Sequence, residues 1–319
     1  MLTIGKKAML FTALLLPVSA FAVSNTLYGD FRYSISNVDD DTDSSLGAES
    51  NASRVGLKGS SDELDGITGF YHLQAGASID TNGNGDAITQ RFFFAGFKGD
   101  FGKVLFGRTS TPYKMAGLKV DPFYDSSAGL SAGGASYGLS GLTNGWSDNT
   151  LAYSKKIDAF KINASVYLDD SVENSNDFNF GVTYKKDGIK AGIQYIGVGD
   201  TGVIAKAGAG TRAIRLHGKY TMDMITIAGS LESIDPDAGD TQRYLYLSST
   251  YKLNEKVKLA GSYGSVDDVN DLVNGDSITL GAFYQLLKKT QVHGLVSSVS
   301  TDTDYTTIAL GVSHKFASK

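Results

Sequence analysis

The 319-residue chain contains no cysteine. Disulfide frameworks, thiol catalysis and cysteine-based zinc sites are therefore excluded. Past the first twenty residues no segment approaches eighteen consecutive apolar residues, which excludes a membrane-spanning helix. From Thr26 onward there is also no helical period of apolar residues. A basic excess is missing too: 29 Lys and Arg stand against 34 Asp and Glu, a net charge of −5, which argues against a nucleic-acid partner. The four histidines, His72, His217, His293 and His314, fall in separate segments without metal-ligating spacing and read as wall residues. No cofactor is expected. Gly197-Val-Gly199-Asp-Thr-Gly202 matches a dinucleotide fingerprint but lacks the following helix. Residues 80–85 begin like a calcium loop, yet the twelfth position is Arg91 where a bidentate Glu is needed.

What is present begins with a compartment signal. Lys6 and Lys7 precede a short apolar run at residues 8–16, and Ala20-Phe21-Ala22 fits the small-x-small cleavage rule. This predicts a secretory signal peptide over 1–22, leaving 23–319 as one domain. In that domain sixteen short alternating segments follow one another. They start near Thr26, Glu49, Gly66, Ala87, Lys103, Asn149, Phe160, Asp177, Ile189, Thr211, Ile225, Gln242, Lys256, Asp276, Thr290 and Tyr305. The period is two. Ile225, Ile227 and Leu231 oppose Thr226, Ala228, Ser230 and Glu232, and Ile308, Leu310 and Val312 oppose Thr307, Ala309 and Ser313. One face therefore meets lipid or a core, and the other meets water.

The connections alternate between short and long. The short ones are flanked by lysines, such as Lys155 and Lys156, Lys185 and Lys186, Lys288 and Lys289. The long ones are acidic, with Asp39, Asp40, Asp41 and Asp43, then Asp169 and Asp170, Asp235, Asp237 and Asp240, and Asp267, Asp268 and Asp271. Short turns on one side, long loops on the other and a mean hydropathy of only −0.11 fit a transmembrane antiparallel β-barrel of sixteen strands. A soluble β-sandwich is the competing architecture. Aromatic residues near strand ends (Tyr153, Tyr184, Tyr220, Tyr251, Tyr284, Phe316) suit the interfacial girdles of a barrel better. One connection stands apart. Residues 110–148 form a long loop rich in Gly, Ser and Asp, and a loop of that length needs a job. It is expected to fold into the lumen and narrow it.

Four stretches then carry a resemblance: Leu27-Tyr28-Gly29, Ser53-Arg54-Val55-Gly56-Leu57-Lys58-Gly59, the segment from Arg91 through Arg108 with its Gly-Asp-Phe-Gly turn, and Leu310-Gly311-Val312-Ser313-His314-Lys315-Phe316. In that order and spacing the chain resembles the Gram-negative general diffusion porins. The resemblance implies a trimeric sixteen-stranded barrel of the outer membrane, in contact with lipid and lipopolysaccharide, passing ions and small hydrophilic solutes. It also implies a third external loop whose acids face arginines of the wall. Carried over by position, Arg54, Arg91 and Arg108 match the arginines, and Asp121 and Asp125 match the loop acids. The family commonly ends on the aromatic residue that the assembly machinery reads, whereas Ala317-Ser318-Lys319 follow Phe316 here.

Strand parity gives a second view of the lumen. Val55 and Leu57 point out, so Arg54 and Lys58 point in; Ile214, Leu216 and Tyr220 point out, so Arg215, His217 and Lys219 point in, as does Lys190. Phe92 and Phe94 are expected to point out, with a slip of parity near Gly96. Opposed charges across a narrow, low-dielectric opening set up a transverse field that favours polar solutes. The acidic loops predict a slight cation preference, which Arg54, Arg91 and Arg215 oppose. A barrel enzyme and a structural or adhesive surface protein are the alternative functions.

Overall fold

The computed structural model describes residues 24–78, 87–128, 136–169, 175–202, 204, 208–268 and 274–318. The expected signal peptide, the stretch at 80–85, Asp170 and Asp271 lie outside the described residues. The strands are β1 (Ser24–Asp39), β2 (Ser44–Ser50), β3 (Arg54–Leu64), β4 (Ile67–Ala77), β5 (Ile88–Gly99), β6 (Gly102–Ser110), β7 (Trp146–Ile157), β8 (Phe160–Tyr167) and β9 (Asp177–Lys186). They continue with β10 (Ile189–Gly197), β11 (Arg212–Met222), β12 (Ile225–Asp235), β13 (Gln242–Lys252), β14 (Val257–Asp268), β15 (Gly275–Leu287), β16 (Thr290–Ser300) and β17 (Tyr305–Ala317). Between β6 and β7 lie a short helix, α1 (Pro112–Leu118), and a 3₁₀ turn at Gly141–Asn144.

Apart from β2 and β3, which both pair with β1, every strand pairs antiparallel with its sequence neighbours, and β1 pairs with β17 to close the sheet into a barrel. Seventeen segments make sixteen staves, because β2 and β3 are two parts of one. Ser44–Ser50 pairs with the second half of β1 and Arg54–Leu64 with the first half. Between them Asn51, Ala52 and Ser53 form a break, with Ala52 at φ +58°. Observed stave starts fall within three residues of the sequence reading except at the second, which begins at Ser44 rather than near Glu49.

Side-chain alternation fixes which face is outside. On β11 and β12, Leu216 and Leu231 are 50% and 56% exposed, while their neighbours Arg215 and Glu232 are buried. Leu247, Leu280 and Ile308 continue the exposed apolar belt around the sheet. Two of the short turns are Asp65-Gly66 and Asp187-Gly188, with both residues of each at positive φ, as a twist-matched two-residue hairpin requires. The core is not inside the sheet but between its polar face and the segment that links β6 to β7. Tyr113 and Leu142 pack with Tyr167, Ile196 and Ala213 of the wall, Phe123 with Phe283 and Leu295, and Val120 and Leu139 with Tyr246.

Candidate functional site

The inter-strand segment after β6 is tied to the wall by buried polar groups. Thr111 caps α1 through its side chain, and Pro112 opens the helix with φ already suited to it. Arg215 on β11 is fully buried and paired with Glu232 on β12 at 2.6 Å. Its guanidinium also donates to the Tyr113 carbonyl at 2.9 Å and to Thr143 at 2.6 Å. Tyr113 and Ser140 hydroxyls both donate to Glu232. Asp121 is buried as well. It accepts from Tyr246, the Phe123 amide and Ser136. Burial holds its carboxyl above the ordinary carboxylate range, and those hydrogen bonds offset only part of that.

One cavity of about 490 Å³ gathers Arg32, Arg54, Arg91, Lys114 and Asp125, with the Trp146 ring on its lining. Asp125, a loop residue at φ +62°, is the bridge. Its Oδ2 lies 2.8 Å from Arg54 and 3.6 Å from Arg32. Asp30 repeats the pattern from the wall, 3.0 Å from Arg54 and 2.9 Å from Arg32. The break between β2 and β3 sets this up. Ser53 Oγ donates to the Arg32 carbonyl and accepts from the Arg32 amide, and the Ala52 carbonyl accepts from Arg54. Such irregularities re-aim side chains.

Arg91 is placed by a second irregularity. Between Leu73 and Ala75 of β4 the facing strand spends two residues, Arg91 and Phe92, opposite the single Gln74. Both therefore turn the same way. Arg91 donates through Nε to Gln74 at 2.8 Å, and Gln74 donates on to the Tyr28 hydroxyl at 2.6 Å. Phe92 stacks on His72, with ring centroids 4.8 Å apart, and meets Trp146 at 5.0 Å. The expectation that Phe92 and Phe94 face out is thus wrong. The bulge sits at Arg91-Phe92, not near Gly96, and it brings the phenyl rings to the polar face.

Trp146 collects cations on its ring: Lys114 Nζ lies 4.0 Å from the ring centre, Arg91 4.9 Å and Arg108 5.9 Å. Lys114 also donates to Asn144 at 3.1 Å. Burial, then the charge of Arg91, hold its ammonium at about 7. Burial and the adjacent Asp125 push the Tyr124 phenol up. Among the described residues neither Arg91 nor Lys114 has a carboxylate at ion-pair distance.

Of the residues read from the sequence, Arg54, Arg91, Asp121 and Asp125 meet in this cavity. Arg108 touches its edge through Trp146 and is bound to Asp148 at 2.6 Å. Lys58 lies apart, 5.5 Å over the Tyr28 ring. Arg215 is corrected: it is fully buried against Glu232 and holds the segment. Asp121 lines the cavity, with its carboxylate taken up by Tyr246 and Ser136. Lys219 stands opposite Lys190 on the next strand, away from the arginines. Asp30, Arg32, Lys114 and Trp146 were missed. Parity along β1, where Phe31, Tyr33 and Ile35 alternate with Asp30, Arg32 and Ser34, was the signal that would have found the first two.

Known proteins share this architecture. A family model described as Gram-negative porin matches residues 8–316. The major outer membrane protein P.IB of Neisseria gonorrhoeae is 24% identical, over 89% of this chain and 90% of that protein. An anion-selective porin from Comamonas acidovorans superposes with a TM-score of 0.74 at 18% identity, covering 92% of this chain and 99% of that one. OmpT of Vibrio cholerae, in a structure described as its trimer form, superposes at 0.68 with 17% identity, over 92% and 99%. With a match over nearly its whole length and a closed sixteen-stave barrel, the chain belongs to the Gram-negative porin family.

Proposed function

We propose that this outer-membrane channel for passive diffusion is narrowed by the segment between β6 and β7, and that Arg32, Arg54, Arg91, Lys114, Asp30 and Asp125 form its eyelet. The observation that carries the reading is the bridge from Asp125 on the segment to Arg54 and Arg32 on the wall. It fixes a loop carboxylate against wall guanidiniums, and the unpaired Arg91 and Lys114 stand beside it. The balance at that point is positive, because the two carboxylates are already shared by Arg32 and Arg54. This favours anions at the eyelet over the slight cation preference that the acidic loops suggest.

Residues 1–22 act as a cleaved signal peptide, and the mature barrel works as a homotrimer in contact with lipid and lipopolysaccharide. The trimer form of the Vibrio cholerae protein supports the assembly state. Assembly machinery reads the strand that ends at Phe316. The chain is not an enzyme in this reading.

The test is single-channel conductance of refolded residues 23–319 in a planar bilayer, beside Arg54→Ala plus Arg91→Ala. Stepwise openings are expected, larger in the variant and shifted toward cations in a salt gradient. Unchanged conductance and reversal potential would remove the eyelet assignment. A heat-modifiable barrel that conducts nothing would return the enzyme and surface-protein alternatives.

A further inference from the structure

A second cavity of about 380 Å³ opens on the other side of α1, toward the short turns. Lys103, Lys161 and Lys190 project into it from three strands, each within three residues of a short turn, and Lys119 reaches it from the end of α1. None of its lining residues is acidic. Among the described residues none of these four lysines forms an ion pair. The crowding continues around the wall. Lys190 has Lys185 directly opposite on β9 and Lys219 directly opposite on β11. Like charges in facing positions of a sheet are destabilising, so an uncompensated row of them is an arrangement that a bound anion would relieve.

A second observation points the same way. His217 also lines this cavity, is only 7% exposed, and its Nε2 has no hydrogen-bond partner. A buried polar atom aimed into a cavity normally has one. Asn163 and Thr183 add an amide and a hydroxyl at the same wall.

We propose that this cavity is a binding site for small multivalent oxyanions, held by Lys103, Lys119, Lys161 and Lys190 with the unpartnered Nε2 of His217 as a further contact. It deepens the channel reading above and rests on it. A single chloride cannot satisfy four ammonium groups at once. An oxyanion with several acceptor oxygens can, because each ammonium offers three donors and charge-assisted bonds of this kind are the strong ones.

The test uses inorganic pyrophosphate as the probe, added to channels open in potassium chloride. Concentration-dependent current interruptions are expected, stronger from the short-turn side. In Lys119→Gln/Lys161→Gln/Lys190→Gln the concentration that halves the current should rise about tenfold or more, through the loss of three charge-assisted contacts. In the charge-matched Lys252→Gln/Lys288→Gln/Lys289→Gln, at exposed turn positions, it should stay put. Equal block in both variants would overturn the proposal, by placing the effect in the general field of the pore. Block that survives in the first variant would overturn it too, by placing the anion at the arginines. Wild-type channels that open but ignore pyrophosphate would sink the site and leave the channel standing. Channels that never open would sink the channel reading itself. If the triple variant loses its heat-modifiable folded band, Lys119→Gln alone, outside the sheet, carries the same comparison.

Discussion

Lys114 shows how much a single residue's setting matters. It is almost fully buried, lies on the ring of the chain's only tryptophan, and feels the charges of Arg91, Arg108 and Arg54 against that of Asp125. Burial and Arg91 lower its ammonium to about 7 from the ordinary 10.5. Between those two values the folded chain holds fewer protons on Lys114 than the unfolded chain does. Its burial therefore destabilises the fold most below pH 7, and that penalty is relieved as pH rises. Two outcomes are expected. The emission of Trp146 should titrate with a midpoint near 7 and lose that step in Lys114→Met. Anion preference should fall across the same interval as one eyelet charge disappears. A flat emission titration between about pH 5.5 and 9 would disprove the assignment, since an ordinary lysine does not titrate there.

At the scale of an element, the segment between β6 and β7 is a loop in sequence and a packed layer in space. Its apolar side chains, Tyr113, Val120, Phe123, Leu139 and Leu142, are buried against the wall. Its polar anchor is the Arg215–Glu232 pair, which also fixes Gly117: a Cβ there would lie 2.3 Å from an Arg215 nitrogen. Glu232→Gln leaves that guanidinium buried without its counter-charge and should weaken the segment's docking by about 3–5 kcal/mol. The barrel itself is held by the strand ladders and should survive. The expected result is a normally folded, heat-modifiable barrel with noisy openings and protease cleavage within residues 111–145. A quiet channel with a protected segment would show that apolar packing alone holds it. Arg215 was legible as an inward residue because Leu216 and Ile214 flank it. That it holds the segment rather than facing the pore was not legible, since Glu232 is a strand away and Tyr113 is about a hundred positions distant.

For the whole molecule, closure decides everything, because an open sheet edge cannot exist in hydrocarbon. The seam runs from Tyr28 opposite Ala317 to Asp39 opposite Thr306. Phe31 and Phe316 stack across it with ring centroids 6.0 Å apart, and the Ser318 amide donates to the Leu27 carbonyl at 2.7 Å. Ala317 and Ser318 therefore belong to the seam. Gly29 leaves room for the Phe316 ring, which a Cβ would meet at 2.1 Å. Gly29→Leu should sharply reduce the yield of heat-modifiable barrel, whereas Gly47→Leu, with nothing near its Cβ, should refold like wild type. Equal yields would show that the seam tolerates a displaced Phe316. The number of staves, all but one of their starts and the lipid face away from the β5 bulge were written in the sequence, because a period of two and alternating turn lengths are local properties. So were Arg54 and Lys190 as inward residues, by parity. The partners of those residues were not local. A three-residue break aims Arg54 and Arg32 at the same two aspartates, a bulge turns Arg91 and Phe92 to the same side, and closure sets Lys190 among other lysines. Sequence spacing fixes which face a side chain takes wherever the strand is regular, but only the closed barrel brings residues from distant strands close enough to share a charge.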